Sequence, residues 1–199
     1  MLIKIGNLIY TLVLIPHVLT YLLKRHLFRY EVERWGEVLR LSVSPRNEVR
    51  LFLTLVRDIR EFRTLFYYRL GPRYFLLRWL APGMPTCFLH GSERQNVGRG
   101  LVIHHGHSMR LGAKHVGEDV EIWHNVTVGK KQSGGELPTI GNRVKICTGA
   151  VVLGDIHIGD DATIGACAVV LKDVPANSVV AGNPARIIRH NGQPCNVAL

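Results

Sequence analysis

The sequence has few cysteines, and it lacks the pairings that metal centres and disulfide frameworks need. Its 199 residues contain four cysteines, none of which forms a CxxC pair, and their spacing matches no standard zinc site. Cys147 and Cys167 stand where small residues recur, which favours buried free thiols. The cysteines therefore indicate free thiols in a reducing cytoplasm, with no bound metal.

Acidic residues are also scarce, and the imbalance is concentrated in one part of the chain. There are 25 Lys and Arg against 15 Asp and Glu, and residues 1–80 hold 14 of the former against 6 of the latter. Such a gradient indicates a negatively charged partner or a membrane surface. Helix-turn-helix, zinc-finger and aromatic-strand signatures are missing, so we expect no nucleic-acid partner.

Long uncharged runs are missing except over residues 5–23, which could just span a bilayer. No small-residue cleavage site of a secretory signal follows this run, and Pro16 interrupts it. Three alternatives stay open: a helix embedded in or lying on a membrane, a true span, and a helix packed into an oligomer interface. In both membrane alternatives, Lys24 and Arg25 would keep the rest of the chain cytoplasmic. Contact through residues 1–30 would then place the protein on the inner face of the cytoplasmic membrane.

Residues 30–80 show apolar side chains at helical spacing, and one helix is expected to run from about Glu48 to Tyr68. Gly71-Pro72 ends that helix. The arginines of these helices are expected on a solvated face, with contact to anionic lipid as the alternative. Residues 1–85 are therefore predicted to form an α-helical N-terminal region that either associates with membrane or builds an oligomer.

The longest regular pattern has a period of six, which is the period of neither a helix nor a strand. Large apolar residues occupy one position of the repeat, and small or β-branched residues follow most of them four positions later. The first series is Val97, Ile103, Met109, Val116, Ile122, Val128, Ile140, Ile146, Val152, Ile158, Ile164 and Val170. The second is Val120, Val126, Val144, Ala150, Ile156, Ala162, Ala168 and Val174. Hexapeptide repeats are typical of β-helices, in which three repeats make one triangular coil. The pattern predicts a β-solenoid over residues 86–190, followed by a tail over 191–199.

The repeat is interrupted between Val128 and Ile140. It resumes after twelve residues, twice the unit length, so a loop over residues 129–139 replaces about one hexapeptide and bulges outward. Loops on a rigid repeat are where solenoids place their function.

Histidines are concentrated near the start of the repeats. His104, His105 and His107 lie close together, and His124 follows about one coil later. Neighbours on a strand point to opposite faces, and no second ligand cluster is evident, so we predict no metal. A neutral imidazole can instead act as a general base, and the alternative is a set of merely exposed histidines.

The order of these motifs resembles that of the hexapeptide-repeat acyltransferases, above all the serine acetyltransferases and the related polysaccharide O-acetyltransferases. The resemblance covers about residues 88–190 and rests on residues 100–106, 122–129, 138–141, 149–159 and 181–186. It implies a mainly β fold, a left-handed parallel β-helix preceded by an α-helical region. It also implies a homotrimer or a dimer of trimers, with acetyl-CoA as co-substrate in the crevice between subunits.

The same resemblance assigns roles to individual residues. The catalytic histidine aligns with His105, which would deprotonate the acceptor hydroxyl. The acidic second member of its dyad falls on His90, and Glu93 is near enough in sequence to replace it. The remaining assignments are acceptor binding by His104, His107 and His124, and CoA binding by Lys130, Thr148, Gly149, Ala166, Ala168, Lys172 and Arg186.

Two departures from the serine acetyltransferases bear on the acceptor. His104 replaces an aspartate suited to hold the amine of serine, and Leu137 replaces a histidine. An ammonium left without its anion should bind less well. The sequence therefore predicts transfer to a hydroxyl of a sugar or lipid-linked glycan precursor, of the capsule or exopolysaccharide type. The alternatives are a serine O-acetyltransferase of cysteine biosynthesis and a non-catalytic β-helix scaffold.

Overall fold

The computed structural model describes residues 10–90 and 96–199. The chain divides into two compact units, Met1–Pro85 and Thr86–Leu199, here called the helical unit and the solenoid unit.

The helical unit is built from short helices. They are α1 (Ile15–Leu23), α2 (Arg25–Val38), α3 (Glu48–Asp58), α4 (Arg60–Leu70) and α5 (Phe75–Leu80), with a 3-10 turn at Pro72–Tyr74. The helix expected from Glu48 to Tyr68 is two helices, because Ile59 adopts extended dihedral angles, φ −118° and ψ 105°, and ends α3.

Aromatic side chains fill the core of this unit. Tyr21 stacks on Phe52 with ring centroids 4.2 Å apart, and Trp35 meets Phe62 edge-on at 5.4 Å. Tyr21 lies on the uncharged N-terminal run, so one face of α1 belongs to the core. Within residues 10–90 and 96–199, no helix is long and apolar enough to cross a membrane.

Charged side chains are also buried in the helical unit, and the expectation of a solvated arginine face is wrong for Arg63. Only 4% of Arg63 is exposed, and its guanidinium donates to the carbonyls of Val56, Arg57 and Pro82 at 2.6–3.0 Å. These carbonyls compensate for its burial, because each N–H that leaves water regains an acceptor. Sequence spacing could not show this, since Pro82 lies well beyond the helix that carries Arg63.

The solenoid unit consists of short strands stacked in coils. They are β1 (Cys87–His90), β2 (Val102–Ile103), β3 (Met109–Gly112), β4 (His115–Val116), β5 (Glu121–Ile122), β6 (Thr127–Gly129), β7 (Thr139–Ile140), β8 (Lys145–Ile146), β9 (Val151–Leu153), β10 (His157–Ile158), β11 (Thr163–Ile164), β12 (Val169–Val170), β13 (Ser178–Ala181), β14 (Arg186–His190) and β15 (Gln193–Ala198).

Three sheets form the walls of a parallel β-helix, in the orders β1-β3-β6-β9-β12, β10-β7-β4 and β15-β14-β13-β11-β8-β5-β2. Ile146 pairs with Ile164, and Val152 pairs with Val170, each 18 residues further along the chain. These four side chains are fully buried, so one coil equals three hexapeptides and the large apolar residue points inward. Strands β14 and β15 close the third sheet with antiparallel pairing.

The register also locates the irregular coils. Val128 pairs with Val152, 24 residues away, so the loop between β6 and β7 lengthens one coil by a single hexapeptide. Earlier in the chain, Ile103 pairs with Ile122 but Leu111 pairs with Val128. Met109 is fully buried, as expected, and Leu111, two residues later, is buried as well and is the residue in register with Val128. Leu111 follows Ile103 by eight positions, whereas Val128 follows Ile122 by six.

Candidate functional site

The widened corner between β2 and β3 carries three of the histidines singled out in the sequence. His105 is exposed and has φ 52°, in the left-handed region, and the N–H of His107 donates to its carbonyl at 2.5 Å. Other corners of the solenoid also contain a left-handed residue, such as Asn125 and Asp161, so this conformation belongs to the turn. Since His104 and His105 follow β2 rather than lie in it, strand alternation does not decide where they point.

His124, on the next coil, is brought close to His105. The two rings are 6.2 Å apart between centroids and meet edge to face. Nδ1 of His124 is buried, and none of the described residues is hydrogen-bonded to it. The carbonyl of His107 accepts a hydrogen bond from the N–H of Asn125, on the same coil as His124, at 2.8 Å. Within the described part of the chain, no three His, Cys, Asp or Glu side chains are grouped to hold a metal ion.

Glu121 and Trp123, which the sequence did not single out, hold His104. The imidazole stacks on Trp123 with centroids 4.3 Å apart and an interplanar angle of 15°. Its Nε2 lies 3.0 Å from Oε2 of Glu121, whose other oxygen lies 3.9 Å from Nζ of Lys145. Only 8% of Glu121 is exposed, although it is an outward residue of β5. Sequence alone carried no signal for this burial, because Glu121 reads as an ordinary polar residue between two apolar ones.

The expected dyad partner of His105 is only partly located. Strand β1 pairs with β3, which places His90 in register with Gly112. The His90 side chain and Glu93 lie outside the residues that the structure describes, so the identity of the partner stays a prediction.

The residues assigned to CoA differ in how they can meet a ligand. Gly149 has φ +72°, and a Cβ there would lie 3.1 Å from Sγ of Cys167, so this turn favours glycine. Ala166 is exposed, but Ala168 is fully buried, so the expected contact of Ala168 with CoA has no accessible surface. Thr148 is half-buried at the same turn as Gly149.

The three cationic candidates are exposed. Lys130 begins the loop after β6. Nζ of Lys172 donates to the carbonyl of Leu199 at 2.6 Å, and Nε of Arg186 donates to Oδ1 of Asn196 at 2.6 Å. The last two would have to exchange these partners to bind phosphate.

Comparison with known proteins identifies the family. The model of the bacterial transferase hexapeptide (six repeats) matches residues 138–172. A serine acetyltransferase of Helicobacter pylori is 38% identical over 167 residues, covering 80% of this chain and 95% of the relative. A serine acetyltransferase of Bacillus pumilus is 40% identical over 129 residues, covering 62% of this chain and 58% of the relative.

Solved structures that are similar to this chain are also serine acetyltransferases. The serine acetyltransferase of Neisseria gonorrhoeae in complex with serine matches with a TM-score of 0.63 and 25% identity, covering 87% of this chain and 72% of that one. The serine acetyltransferase of Brucella abortus in complex with coenzyme A matches with a TM-score of 0.58 and 28% identity, covering 84% and 68%.

These relatives overturn one prediction and confirm others. The sugar or glycan acceptor is wrong, because relatives matched along nearly their whole length are serine acetyltransferases and one solved neighbour binds serine. Neither a polysaccharide role nor membrane contact finds support among them. The left-handed β-helix, the acetyltransferase activity and acetyl-CoA as co-substrate are confirmed. The chain belongs to the serine acetyltransferase family of hexapeptide-repeat transferases.

Proposed function

We propose that this protein transfers the acetyl group of acetyl-CoA to the hydroxyl of L-serine, a step of cysteine biosynthesis. The observation that carries the proposal is the match to the Helicobacter pylori serine acetyltransferase over 95% of that relative. The exposed imidazole in the widened corner supports it, because acyl transfer to a hydroxyl needs a base that both substrates can reach.

His105 is the general base in this proposal. Its imidazole takes the hydroxyl proton of serine while the oxygen attacks the thioester carbonyl carbon. The C–S bond then breaks, and the imidazolium returns the proton to the sulfur, which leaves as CoA thiol. Holding both substrates in one crevice supplies a large part of the acceleration. Either His90 or Glu93 orients the His105 ring, and His124 lies against it from the next coil.

The remaining contacts are proposed from the resemblance to the family. His104 and His107 flank His105 and face the acceptor. Thr148, Gly149 and Ala166 let the pantetheine chain lie close to the coils, because small residues leave room there. Lys130, Lys172 and Arg186 meet the phosphates.

We assign the assembly as a homotrimer with CoA between subunits. The helical unit would join two trimers through an exposed apolar surface, which includes Leu12, Leu19 and Leu23. The family supports the trimer, and the area of exposed leucine supports a covered surface. We assign a cytoplasmic location, which the four free cysteines support.

Replacing the base tests the mechanism. His105→Ala should lower kcat by about 10²–10⁴-fold, because proton transfer by a positioned side chain contributes that much. Release of CoA thiol in the presence of L-serine measures the rate. His115→Ala is the matched control, since His115 is an exposed histidine on β4 of the same coil. Equal rates for both variants would remove His105 from the mechanism.

Acceptor dependence tests the substrate. Thiol release by the native protein should require L-serine, and the product should be the acetyl ester of its hydroxyl, identified by mass. Release at the same rate without L-serine would contradict the proposed function.

A further inference from the structure

Serine as acceptor poses an electrostatic problem at this corner. Its amino group is an ammonium ion, and leaving such a charge partly buried without an anion is unfavourable. Residues 104–108 contain three histidines and no carboxylate. Glu121, from the next coil, supplies a carboxylate in contact with the corner.

The hydrogen bond between the two side chains sets the proton positions on His104. An ionised carboxylate only accepts hydrogen bonds, so Nε2 of His104 must carry the hydrogen and donate it to Glu121 over 3.0 Å. In the neutral ring, Nδ1 then bears a lone pair. No described residue bonds Nδ1, and 19% of the His104 side chain is exposed. Stacking on Trp123 holds the plane of the ring.

We propose that His104 and Glu121 together form the subsite for the amino group of the acceptor. Nδ1 of His104 accepts a hydrogen bond from the ammonium, and Glu121 behind the ring supplies the negative charge. Glu121 is thus a positioning residue that acts through His104. The inference rests on the proposed function and names the residues that let this chain select an amino acid although position 104 is a histidine.

Coil stacking does not require this pair. The backbone already joins the two coils, with the N–H of Val102 donating to the carbonyl of Val120 at 2.9 Å and that of His104 to Ile122 at 2.8 Å.

The first experiment compares two acceptors. Glu121→Gln should raise the KM for L-serine roughly 10- to 100-fold, the value of a hydrogen bond to a charged group. It should leave kcat/KM for 3-hydroxypropionate, which has no amino group, within about twofold. Glu118→Gln is the matched control, because Glu118 is an exposed glutamate of the same coil that pairs with Arg99 at 3.2 Å.

The second experiment restores the charge directly. Adding His104→Asp to Glu121→Gln should recover most of the affinity for L-serine, because an aspartate can meet the ammonium itself. His104→Asp alone should recover less, since two neighbouring carboxylates repel each other. His104→Phe keeps an aromatic ring stacked on Trp123 but removes the lone pair of Nδ1. This variant should raise the KM for L-serine and leave kcat/KM for 3-hydroxypropionate unchanged, and it provides a test even if Glu121→Gln does not fold.

Outcomes separate the inference from the proposed function. Equal losses for both acceptors in Glu121→Gln and His104→Phe, or no loss in either variant, would overturn the inference while L-serine remained the substrate. If the native protein does not use L-serine at all, the proposed function fails first. A selective loss of L-serine with rescue by His104→Asp supports both.

Discussion

The two units of this protein build their cores from different kinds of contact. In the solenoid unit, Ile146, Ile164 and Val180 continue one buried row along the third sheet, and their spacing is nearly constant. In the helical unit, buried contacts join distant and unlike positions, such as Tyr21 with Phe52. A repeat core can therefore be inferred from sequence period, whereas an aromatic core depends on which helices meet.

Charge is distributed differently as well. The helical unit buries Glu48, which binds the side chains of Tyr21 and Arg25. The solenoid unit keeps pairs such as Arg143 and Asp161, joined at 2.8 Å, on its surface. Among the described residues, Glu31, Glu48 and Arg63 are buried in the helical unit, whereas Glu121 is the buried charged residue of the solenoid unit.

Removing a central aromatic residue should produce the largest difference in stability between the two units. Phe52→Ala should destabilise the helical unit by about 3–5 kcal/mol, the usual cost of emptying a buried aromatic position. Denaturant unfolding would be followed by Trp35 fluorescence in a Trp79→Phe, Trp123→Phe background, and by Trp123 in a matching background. Phe75→Ala is the control, since that ring is exposed. An equal shift of the Trp35 and Trp123 transitions would show that the units unfold together.

Acid should weaken the helical unit before the solenoid unit. Burial lowers the pKa of His17 from 6.5 to about 4, because desolvation disfavours the charged ring. The unfolded chain therefore binds a proton first, and stability falls as pH drops from 6.5 to 4, by on the order of 3 kcal/mol. Below pH 4.5 a second loss follows, since hydrogen bonding to Arg25 lowers the pKa of Glu48 to about 2.

The Trp35 transition, measured across this pH range, checks that expectation. His17→Gln should flatten the slope between pH 6.5 and 4, while His26→Gln, at an exposed histidine, should preserve it. A Trp123 transition with the same pH slope would contradict the contrast between the units.

The solenoid should be most sensitive where coils touch through glycine. A Cβ at Gly117 would lie 2.5 Å from backbone atoms of Gly141, whereas one at Gly129 would meet only Leu153 Cδ2, at 4.0 Å. Gly117→Ala should thus cost about 1–3 kcal/mol, the range for overpacking, and Gly129→Ala much less. The Trp123 unfolding transition measures both. Equal losses of stability in the two variants would contradict this expectation, because they would show that the coils can move apart to accommodate a Cβ at Gly117.

The register of the coils is predictable from the sequence where the repeat is regular, and it is not predictable where a corner changes length. The 24-residue coil was predictable from the gap between Val128 and Ile140, because the period resumes in register after it. Met109 was placed inward by the same counting and is fully buried, but the corner at His105 is two residues longer, so Leu111 rather than Met109 is in register with Val128. The six-residue period does not reveal an insertion when another apolar residue occupies the position where the period expects one.

The candidate site shows the same division. His105 was found from its motif, since the histidine and the glycine after it are adjacent in sequence. The acceptor was predicted wrongly from the departures at His104 and Leu137, and the relatives that are serine acetyltransferases overturn it. Arg63 was likewise expected in solvent, although its acceptors include the carbonyl of Pro82.

By itself the sequence determined the β-helix, its lengthened coil and the acetyltransferase motif around His105. These follow from short-range rules, because each inward residue meets a similar residue one coil away. The tertiary structure alone decided the break at Ile59, the burial of Arg63 and the contact between His104 and Glu121. Each of these depends on which distant groups stacking and helix packing bring within hydrogen-bond distance, and no local spacing encodes that distance.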